Sequence, residues 1–448
     1  GLVFPDRKTP PKVWEVKKVY QNVAFEPVDV FAGKIRLRNK FFFKSLAGYQ
    51  IAWKLLEDGL VIQQGEFPAP DVQPGSSAVV TIPYKKPDLK AGAEYQLRVA
   101  VQLAGATSWA EAGHEIAWEQ IPIAYRVPAP PAVRGDTLPS LDLIEDENEI
   151  RLGTPNFKVV FDKRQGRIAS LTYGTRAVIG DEEEGIVGPE LDVFRAPTDN
   201  NIKRLGPAWY AVGLNDLKRQ VEDVQVSRLD PRTVEVTIWV KYLGNKGAGF
   251  DHKAVYTVYG NGWIHVANEI VPFGELPVLP KIGVRMTVNG ALENLVWYGR
   301  GPYENYPDRK TGSALALWRS TVSDQCVRYV RPQETGNHED VRWLALTDKK
   351  GVGVLFVGDK PFSASALHFT ADDLDKATHI NELVPRRNTI VCLDAAVLGL
   401  GNGSCGPGVL DRYLLQPEPK SFGFTIRPLT SETGDLRAYA RLRNPVAP

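Results

Sequence analysis

Apolar and polar residues alternate with a period of two in short runs along most of this 448-residue chain. In residues 95–103 and 234–242, Val, Leu, Ile or Tyr occupies every second position, which is the pattern of a β-strand that buries one face. One short segment favours a helix, with Thr370 as N-cap before residues 371–376. Without a helical layer, sheets must bury their apolar faces against each other. We therefore predict an all-β fold of stacked antiparallel sheets.

The distribution of these runs divides the chain. Residues 12–125 contain short strands separated by turn signals such as Asp58-Gly59 and Pro74–Ser77, which predicts a sandwich of the immunoglobulin type. A proline-rich linker follows at 126–140. Strands then resume and continue to the end, so residues 141–448 are predicted to form one large antiparallel domain.

Composition excludes several classes of function. The formal net charge is +1 and no long Lys or Arg run occurs, so neither nucleic acid nor an anionic membrane surface is an expected partner. No run of 18 apolar residues is present to span a membrane. The three cysteines and six histidines are widely spaced, which argues against a disulfide framework and a metal site.

Residues 297–309 form the most distinctive polar segment. Four Gly and Pro residues prevent regular structure there, so the segment is predicted to be a loop at the end of a strand. It displays Arg300, Glu304, Asn305, Asp308 and Arg309. Such a loop either binds a ligand or is cross-braced by its own charges, and the residues alone leave both interpretations open.

The segment Trp297–Arg309, which reads WYGRGPYENYPDR, resembles the signature of the C-terminal small-chain domain of the large β-galactosidases of glycoside hydrolase family 2. Further segments resemble the family in the family's order, namely Arg195–Asn200, Arg331–Asn337 and, in the preceding domain, Trp109–His114. Gly1–Arg7 resembles the segment that leaves the family's catalytic barrel. The resemblance implies a barrel-exit segment at 1–11, an immunoglobulin-like sandwich at 12–125 and a galactose-mutarotase-like supersandwich at 141–448.

The same resemblance implies that the catalytic glutamates lie in the absent barrel and that this chain holds none. Asn268-Glu269 and Asn381-Glu382 echo the family's Asn-Glu acid/base pair, but a two-residue match is weak. In the segment Gly401–Pro407, Cys405 stands where the family carries a tryptophan that forms a platform for substrate. A thiol does not stack on a sugar ring as an indole does.

Polar side chains on the motif loops are the candidates for sugar binding, because carboxylates, amides and guanidinium groups form directional hydrogen bonds with hydroxyl groups. The predicted substrate-binding residues are Arg195, Asp199, Asn200, Arg300, Glu304, Asn305, Glu334, Asn337, His338, Ser404 and Cys405.

The favoured function is therefore the non-catalytic C-terminal portion of a β-galactosidase, which completes the active-site wall and binds carbohydrate. The alternatives are a free-standing carbohydrate-binding module and a mutarotase-like epimerase that uses His338 with Glu334 or Glu304. The expected partners are a β-galactoside and the missing barrel, and a homo-oligomer stays open. No cofactor is expected from this chain, although the resemblance allows a divalent or sodium ion in the barrel. The resemblance is to bacterial-type soluble enzymes, and the compartment, cytoplasmic or periplasmic, stays open.

Overall fold

The computed structural model describes residues 2–180 and 185–446. Gly1 of the predicted exit segment, residues 181–184 and residues 447–448 lie outside the described part. The α-helices are α1 (Lys12–Val19), α2 (Gly206–Ala211), α3 (Ala371–Lys376) and α4 (Leu436–Arg441). Short 3₁₀ turns lie at Gly135–Thr137, Asn245–Gly247, Ser323–Gln325, Ile380–Glu382 and Asp411–Tyr413.

Strands make up most of the regular structure. In chain order they are β1 (Val23–Asp29), β2 (Lys34–Asn39), β3 (Tyr49–Glu57), β4 (Leu60–Pro68), β5 (Ser77–Thr81), β6 (Tyr95–Leu103), β7 (Glu115–Ile123), β8 (Ala132–Arg134), β9 (Asp142–Glu145), β10 (Glu149–Thr154), β11 (Phe157–Asp162), β12 (Arg167–Tyr173), β13 (Arg176–Ile179), β14 (Glu190–Asp192), β15 (Lys218–Asp230), β16 (Thr233–Leu243), β17 (Gly249–Tyr259), β18 (Ile264–Phe273), β19 (Lys281–Val288), β20 (Asn294–Gly301), β21 (Ala314–Thr321), β22 (His338–Thr347), β23 (Gly353–Leu367), β24 (Thr389–Val397), β25 (Lys420–Leu429) and β26 (Arg443–Val446).

The first seven strands form a sandwich of two antiparallel sheets. One sheet has the order β1-β2-β5 and the other β4-β3-β6-β7. Val23, Ile35, Ile51, Leu97 and Val99 are fully buried in the apolar core that the two sheets enclose. These residues recur at every second position of their strands, which is why the alternation in the sequence identified them.

The large part of the chain contains a five-stranded sheet, β13-β12-β11-β10-β9, and a curled twelve-stranded sheet. The main path of the larger sheet is β14-β19-β24-β23-β25-β18-β17-β16-β15, with β20, β21 and β22 attached beside it. Phe161 of β11 packs edge-on against Tyr256 of β17, with ring centroids 5.1 Å apart, so the two sheets share one core. The predicted all-β fold class, a sandwich followed by an antiparallel supersandwich, is confirmed.

Strand β23 crosses a corner of the large sheet. Residues 353–358 pair with β25, whereas residues 363–367 pair with β24. Between them, Asp359, Lys360 and Pro361 are exposed. The strand therefore changes its neighbour where its side chains leave the core.

The prediction of a single helix is wrong, since the described residues contain four α-helices. Helix α3 is confirmed, and its capping box joins the Asp373 backbone N–H to Thr370 Oγ1 at 3.1 Å. Helix α1 has no side-chain cap, and Lys18 is its one buried residue, so it lacks the apolar stripe that reveals a helix in a sequence.

No strand among β1–β7 pairs with a strand among β9–β25 in the described residues. Other contacts join the two parts, including hydrogen bonds between Gln120 and Leu315 at 2.7 and 2.8 Å. The linker contributes β8, which pairs in parallel with β26. The division into domains at 12–125 and 141–448 stays a prediction.

Candidate functional site

Four polar loops meet beside the large sheet, at or near the ends of its strands. They are residues 195–204 after β14, 302–309 after β20, 327–337 before β22, and 398–407 after β24. Hydrogen bonds connect the loops directly, as in the bonds from Arg195 to Leu398 and from Asn305 to Asn337. We call this group the loop cluster. Its members are separated by up to about two hundred residues in sequence, and the antiparallel sheet brings them to one place.

Arg195 ties the first loop to the last. The side chain is fully buried, and its guanidinium donates to the carbonyl oxygens of Leu398 at 2.6 Å and Gly399 at 3.1 Å. It also donates to Asn201 Oδ1 at 3.1 Å. Burial lowers the pKa of Arg195, although it stays a cation at neutral pH. Its hydrogen bonds therefore go to two backbone carbonyls and one side chain of the same loops and not to solvent.

Glu304 is the most heavily hydrogen-bonded carboxylate of the loop cluster. Its Oε1 accepts from Arg309 at 2.6 Å and from Tyr329 at 2.5 Å. Its Oε2 accepts from Thr335 Oγ1 and from the Gly336 backbone N–H, both at 2.8 Å. Each carboxylate oxygen thus has two donors, which occupies most of its acceptor capacity.

Asn305 and Asn337 join two loops through their backbones. The Asn305 N–H donates to the Asn337 carbonyl at 2.7 Å, and the Asn337 side-chain amide donates to the Asn305 carbonyl at 2.8 Å. The Asn305 Oδ1 accepts from the Glu339 N–H at 2.9 Å. Both asparagines are at most 2% exposed. Their amides hold the loops and do not face an open surface.

Arg300 and His338 are also fixed by neighbours. Arg300 pairs with Asp340 and donates to the Ser313 carbonyl at 2.9 Å. The His338 ring lies 4.3 Å from the Trp297 ring, centroid to centroid, and its Nε2 is 2.8 Å from Gln325 Oε1. Burial lowers the pKa of His338 to about 4, so the imidazole is neutral at pH 7.

Glu334 lies beside a small charged cavity. Lys281 forms ion pairs there with Asp192 at 2.8 Å and with Asp394 at 3.0 Å, and burial raises the pKa of Glu334. Glu334, Asp192, Lys281 and Cys392 line a cavity of about 30 Å³, which holds about two water molecules. Sequence reasoning missed this cluster. The available signal was a charged residue at a buried position of each of the strands β14, β19 and β24, namely Asp192, Lys281 and Asp394.

Among the predicted residues, Asp199, Ser404 and Cys405 are exposed and the neighbouring Asn200 is half-buried. We call these four residues the rim. The Asn200 amide donates to the Gly401 carbonyl at 2.6 Å and accepts from the Ser404 N–H at 3.0 Å. Ser404 and Cys405 are exposed. Because Asn200 holds both ends of this turn, the position of Cys405 is set by the first loop.

Asp308 fixes the same turn from the other side. Its two carboxylate oxygens accept from the backbone N–H groups of Leu400 at 2.9 Å and Gly401 at 2.7 Å. Arg204 adds a bond to the Gly406 carbonyl at 3.2 Å and was not predicted from the sequence. Arg204 lies in a turn just before α2, and nothing in the sequence pattern identified it.

Nine of the eleven predicted residues lie on the four loops, and most of these hold the loops together. The other two lie in strands, since Arg300 belongs to β20 and His338 begins β22, so the prediction that a loop displays Arg300 is wrong. The two weaker candidates for a catalytic acid, Glu269 and Glu382, lie outside the four loops. Glu269 is exposed on β18. Glu382 lies in a 3₁₀ turn, where hydrogen bonds from Thr378 and His379 lower its pKa to about 2.

Residues 153–426 match the family model described as the β-galactosidase small chain. The chain belongs to this family. The match includes all four loops, and residues 35–124 match the model of β-galactosidase domain 4. The loop cluster therefore lies wholly within the part of the chain that matches the small-chain family.

Curated relatives of this small-chain sequence are β-galactosidases. The enzyme from Priestia megaterium is 31% identical over 403 residues, and that from Bifidobacterium adolescentis is 31% identical over 417. Each alignment covers 90% of this chain but 38% of the relative, so the chain spans about two-fifths of their length. A solved galactose 1-epimerase from Lactobacillus acidophilus aligns with 65% of this chain and 98% of its own, at 12% identity and a TM-score of 0.40.

None of the described helices is long and apolar enough to cross a membrane. Within residues 2–180 and 185–446, no group of three or more His, Cys, Asp or Glu side chains is arranged to hold a metal ion.

Proposed function

We propose that this chain is the non-catalytic C-terminal portion of a glycoside hydrolase family 2 β-galactosidase, and that its rim completes the wall of an active site housed elsewhere in the parent enzyme. The small-chain match over residues 153–426 carries this proposal, because that range holds every loop of the cluster. The parent enzyme would hydrolyse terminal β-D-galactosides. Its catalytic barrel is the partner of this chain.

The state of the carboxylates supports a non-catalytic role for this portion. Retaining glycoside hydrolysis requires two carboxylates roughly 5–5.5 Å apart on either side of the glycosidic bond. Glu304 is saturated by four donors, and Asp308 is bound to two backbone N–H groups. Glu334 borders space for about two waters, which does not admit a sugar ring. We therefore assign no catalytic role to these three carboxylates.

The same geometry gives no support to the epimerase alternative. An epimerising histidine must reach the anomeric oxygen of a bound sugar, whereas His338 is 2% exposed and lies on Trp297. The alternative of a free-standing carbohydrate-binding module differs from our proposal in the sugar affinity that it predicts for the isolated chain. A rim that completes a composite site contributes only a few hydrogen bonds, so we expect millimolar binding by this portion alone.

The test compares this portion with the full-length parent. The purified 448-residue chain should release no nitrophenol from nitrophenyl β-galactoside above buffer, whereas the full-length parent should release it. Calorimetry with galactose and lactose should give at most millimolar affinity. Turnover by the isolated chain that disappears in Glu304→Gln or Glu334→Gln would overturn the proposal, and micromolar sugar affinity would favour a free-standing binding module.

A further inference from the structure

A second polar cavity lies away from the loop cluster, where three parts of the chain meet. Its walls come from the exposed corner of β23, from β25, and from the C-terminal residues 440–444, and it is closed by Gly92, Glu94 and Pro130. Its volume is about 500 Å³, which is within the range of small-ligand sites. We call it the seam cavity.

The seam cavity has an excess of positive charge. Five cationic residues line it, Arg342, Lys360, Arg427, Arg441 and Arg443, against the two acids Glu94 and Asp359. Arg342 is paired with Glu94 at 2.9 Å, and Arg441 is paired with Asp58. Lys360, Arg427 and Arg443 are thus left with one acid, Asp359, whose carboxylate lies 2.9 Å from His265 Nε2. Burial lowers the pKa of Arg427 and the charge of Asp359 acts to raise it, but these two described side chains form no ion pair.

Arg427 is the buried member of these three. It is 2% exposed, and its guanidinium carbon lies 3.9 Å from the centroid of the Trp263 ring. It donates to the carbonyls of Tyr439 at 2.8 Å and Leu442 at 2.9 Å. Among the described residues its Nε has no acceptor, and no carboxylate forms an ion pair with it. Burial lowers the pKa of Arg427 to about 10, so it is still a cation at pH 7.

A buried cation without a counter-ion is unfavourable, and a bound anion relieves that cost. The two other unpaired cations are at the surface. Lys360 and Arg443 are exposed. Neither forms an ion pair with a carboxylate of the described residues. Lys360 can turn toward an incoming anion. Arg443 donates to the Pro130 carbonyl through Nε at 3.1 Å and keeps its terminal N–H groups for an anion, while buried Arg427 supplies a fixed charge in the same cavity.

We propose that the seam cavity binds a small oxyanion, namely phosphate or the phosphate or carboxylate group of a small ligand. Arginine is suited to such groups because its planar fork matches two oxygens at once. Asn444 adds a polar group next to the cations, since its Oδ1 already accepts from Thr425 Oγ1 at 2.9 Å and its Nδ2 is left as a donor. This site goes beyond the proposed function and does not depend on it.

The experiment uses the complete chain and inorganic phosphate. Calorimetry and thermal melting are run over a phosphate series at fixed pH, with sodium chloride holding the ionic strength constant. The double variant Lys360→Gln and Arg443→Gln removes the two exposed charges and spares buried Arg427. Lys349→Gln is the control, because Lys349 is exposed outside the cavity.

We expect phosphate to raise the melting temperature of the wild-type chain and of Lys349→Gln alike. The double variant should bind about tenfold more weakly, since each exposed charge contributes modestly. Parallel titrations with acetate and glucose 6-phosphate identify the ligand class, and tighter binding of any one of the three supports an oxyanion site. No heat and no shift with any of them, or equal affinity in the double variant and wild type, would overturn the proposal.

Discussion

Replacing Glu304 by glutamine tests whether the loop cluster holds itself together or holds a sugar. The carboxylate is the counter-ion of Arg309, whose side chain is 14% exposed, while that of Glu304 is 2% exposed. Glutamine keeps one oxygen for Thr335 and Gly336 but turns N–H groups toward Arg309. A buried cation is then left without its partner, which costs about 3–5 kcal/mol in comparable pairs.

The lower end of that range is expected here, because the glutamine oxygen keeps two of the four hydrogen bonds. A loss of about 3 kcal/mol in the free energy of unfolding of a domain of about 300 residues lowers its melting temperature by roughly 5 °C. The loss is measured by urea unfolding and by thermal melting of the 448-residue chain, both followed by tryptophan fluorescence. Glu269→Gln is the matched control, since Glu269 is exposed on β18, and it should change stability by less than about 0.5 kcal/mol.

A different result would refute the reasoning. If Glu304→Gln has the same urea midpoint and melting temperature as the wild type, the hydrogen bonds that surround Glu304 do not support the loops. If, in addition, the full-length parent loses galactoside affinity with this change, Glu304 contacts the sugar directly. The stability measurement and the binding measurement therefore distinguish a brace from a ligand-binding group.

Three further predictions follow from single positions. An unfolded histidine titrates near pH 6.5, whereas burial lowers the pKa of His338 to about 4, so stability present above pH 6.5 is lost as the pH falls toward 4, by up to about 3 kcal/mol. His338→Gln should remove that part of the pH slope in urea titrations, and an unchanged slope would contradict it. Gly260→Ala places a methyl group 1.8 Å from the Pro139 carbonyl oxygen and should cost at least about 1–3 kcal/mol on thermal unfolding, whereas Gly105→Ala, with open space around it, should not. Cys405→Trp in the full-length parent should change affinity for an aglycone sugar by about 0.5–1.5 kcal/mol through stacking, and identical KM values for all disaccharides would argue against contact.

The strands were predictable because a strand that buries one face carries an apolar residue at every second position. The runs at 95–103 and 234–242 are observed as β6 (Tyr95–Leu103) and β16 (Thr233–Leu243). Their order in the sheets was not predictable. Strand β14 pairs with β19, and β19 with β24, which joins segments about a hundred residues apart each time, and no local pattern encodes such partners.

Helix α1 shows a second limit of local patterns. Its contacts are made by individual side chains with distant parts of the chain. Trp14 stacks on Tyr303 at 4.9 Å with the rings 9° apart, and Lys18 lies 4.1 Å above the Trp118 ring while it pairs with Glu119 at 3.0 Å. A helix held by a stacked indole and a buried cation does not need an apolar stripe. The period of its sequence is therefore uninformative.

The loop cluster was predictable as a group but not in its internal roles. Polar residues on irregular segments at strand ends were expected to converge, and the hydrogen bonds join them. Which of them are available to a ligand depends on their partners. The four donors to Glu304 come from residues 309, 329, 335 and 336, and only the folded chain reveals that they saturate it.

This difference in roles changes what the loop cluster can contribute to a β-galactosidase. Buried arginine, glutamate and asparagine side chains fix the backbone, while Asp199, Asn200, Ser404 and Cys405 form the rim. Asn200 and Asp308 together bond to four backbone groups of residues 400–404, so the turn that carries Cys405 is held from two loops. Preorganisation of this kind lets a side chain meet a ligand without first ordering its loop. We therefore propose that the motif residues act on a ligand indirectly, by fixing the position of residue 405.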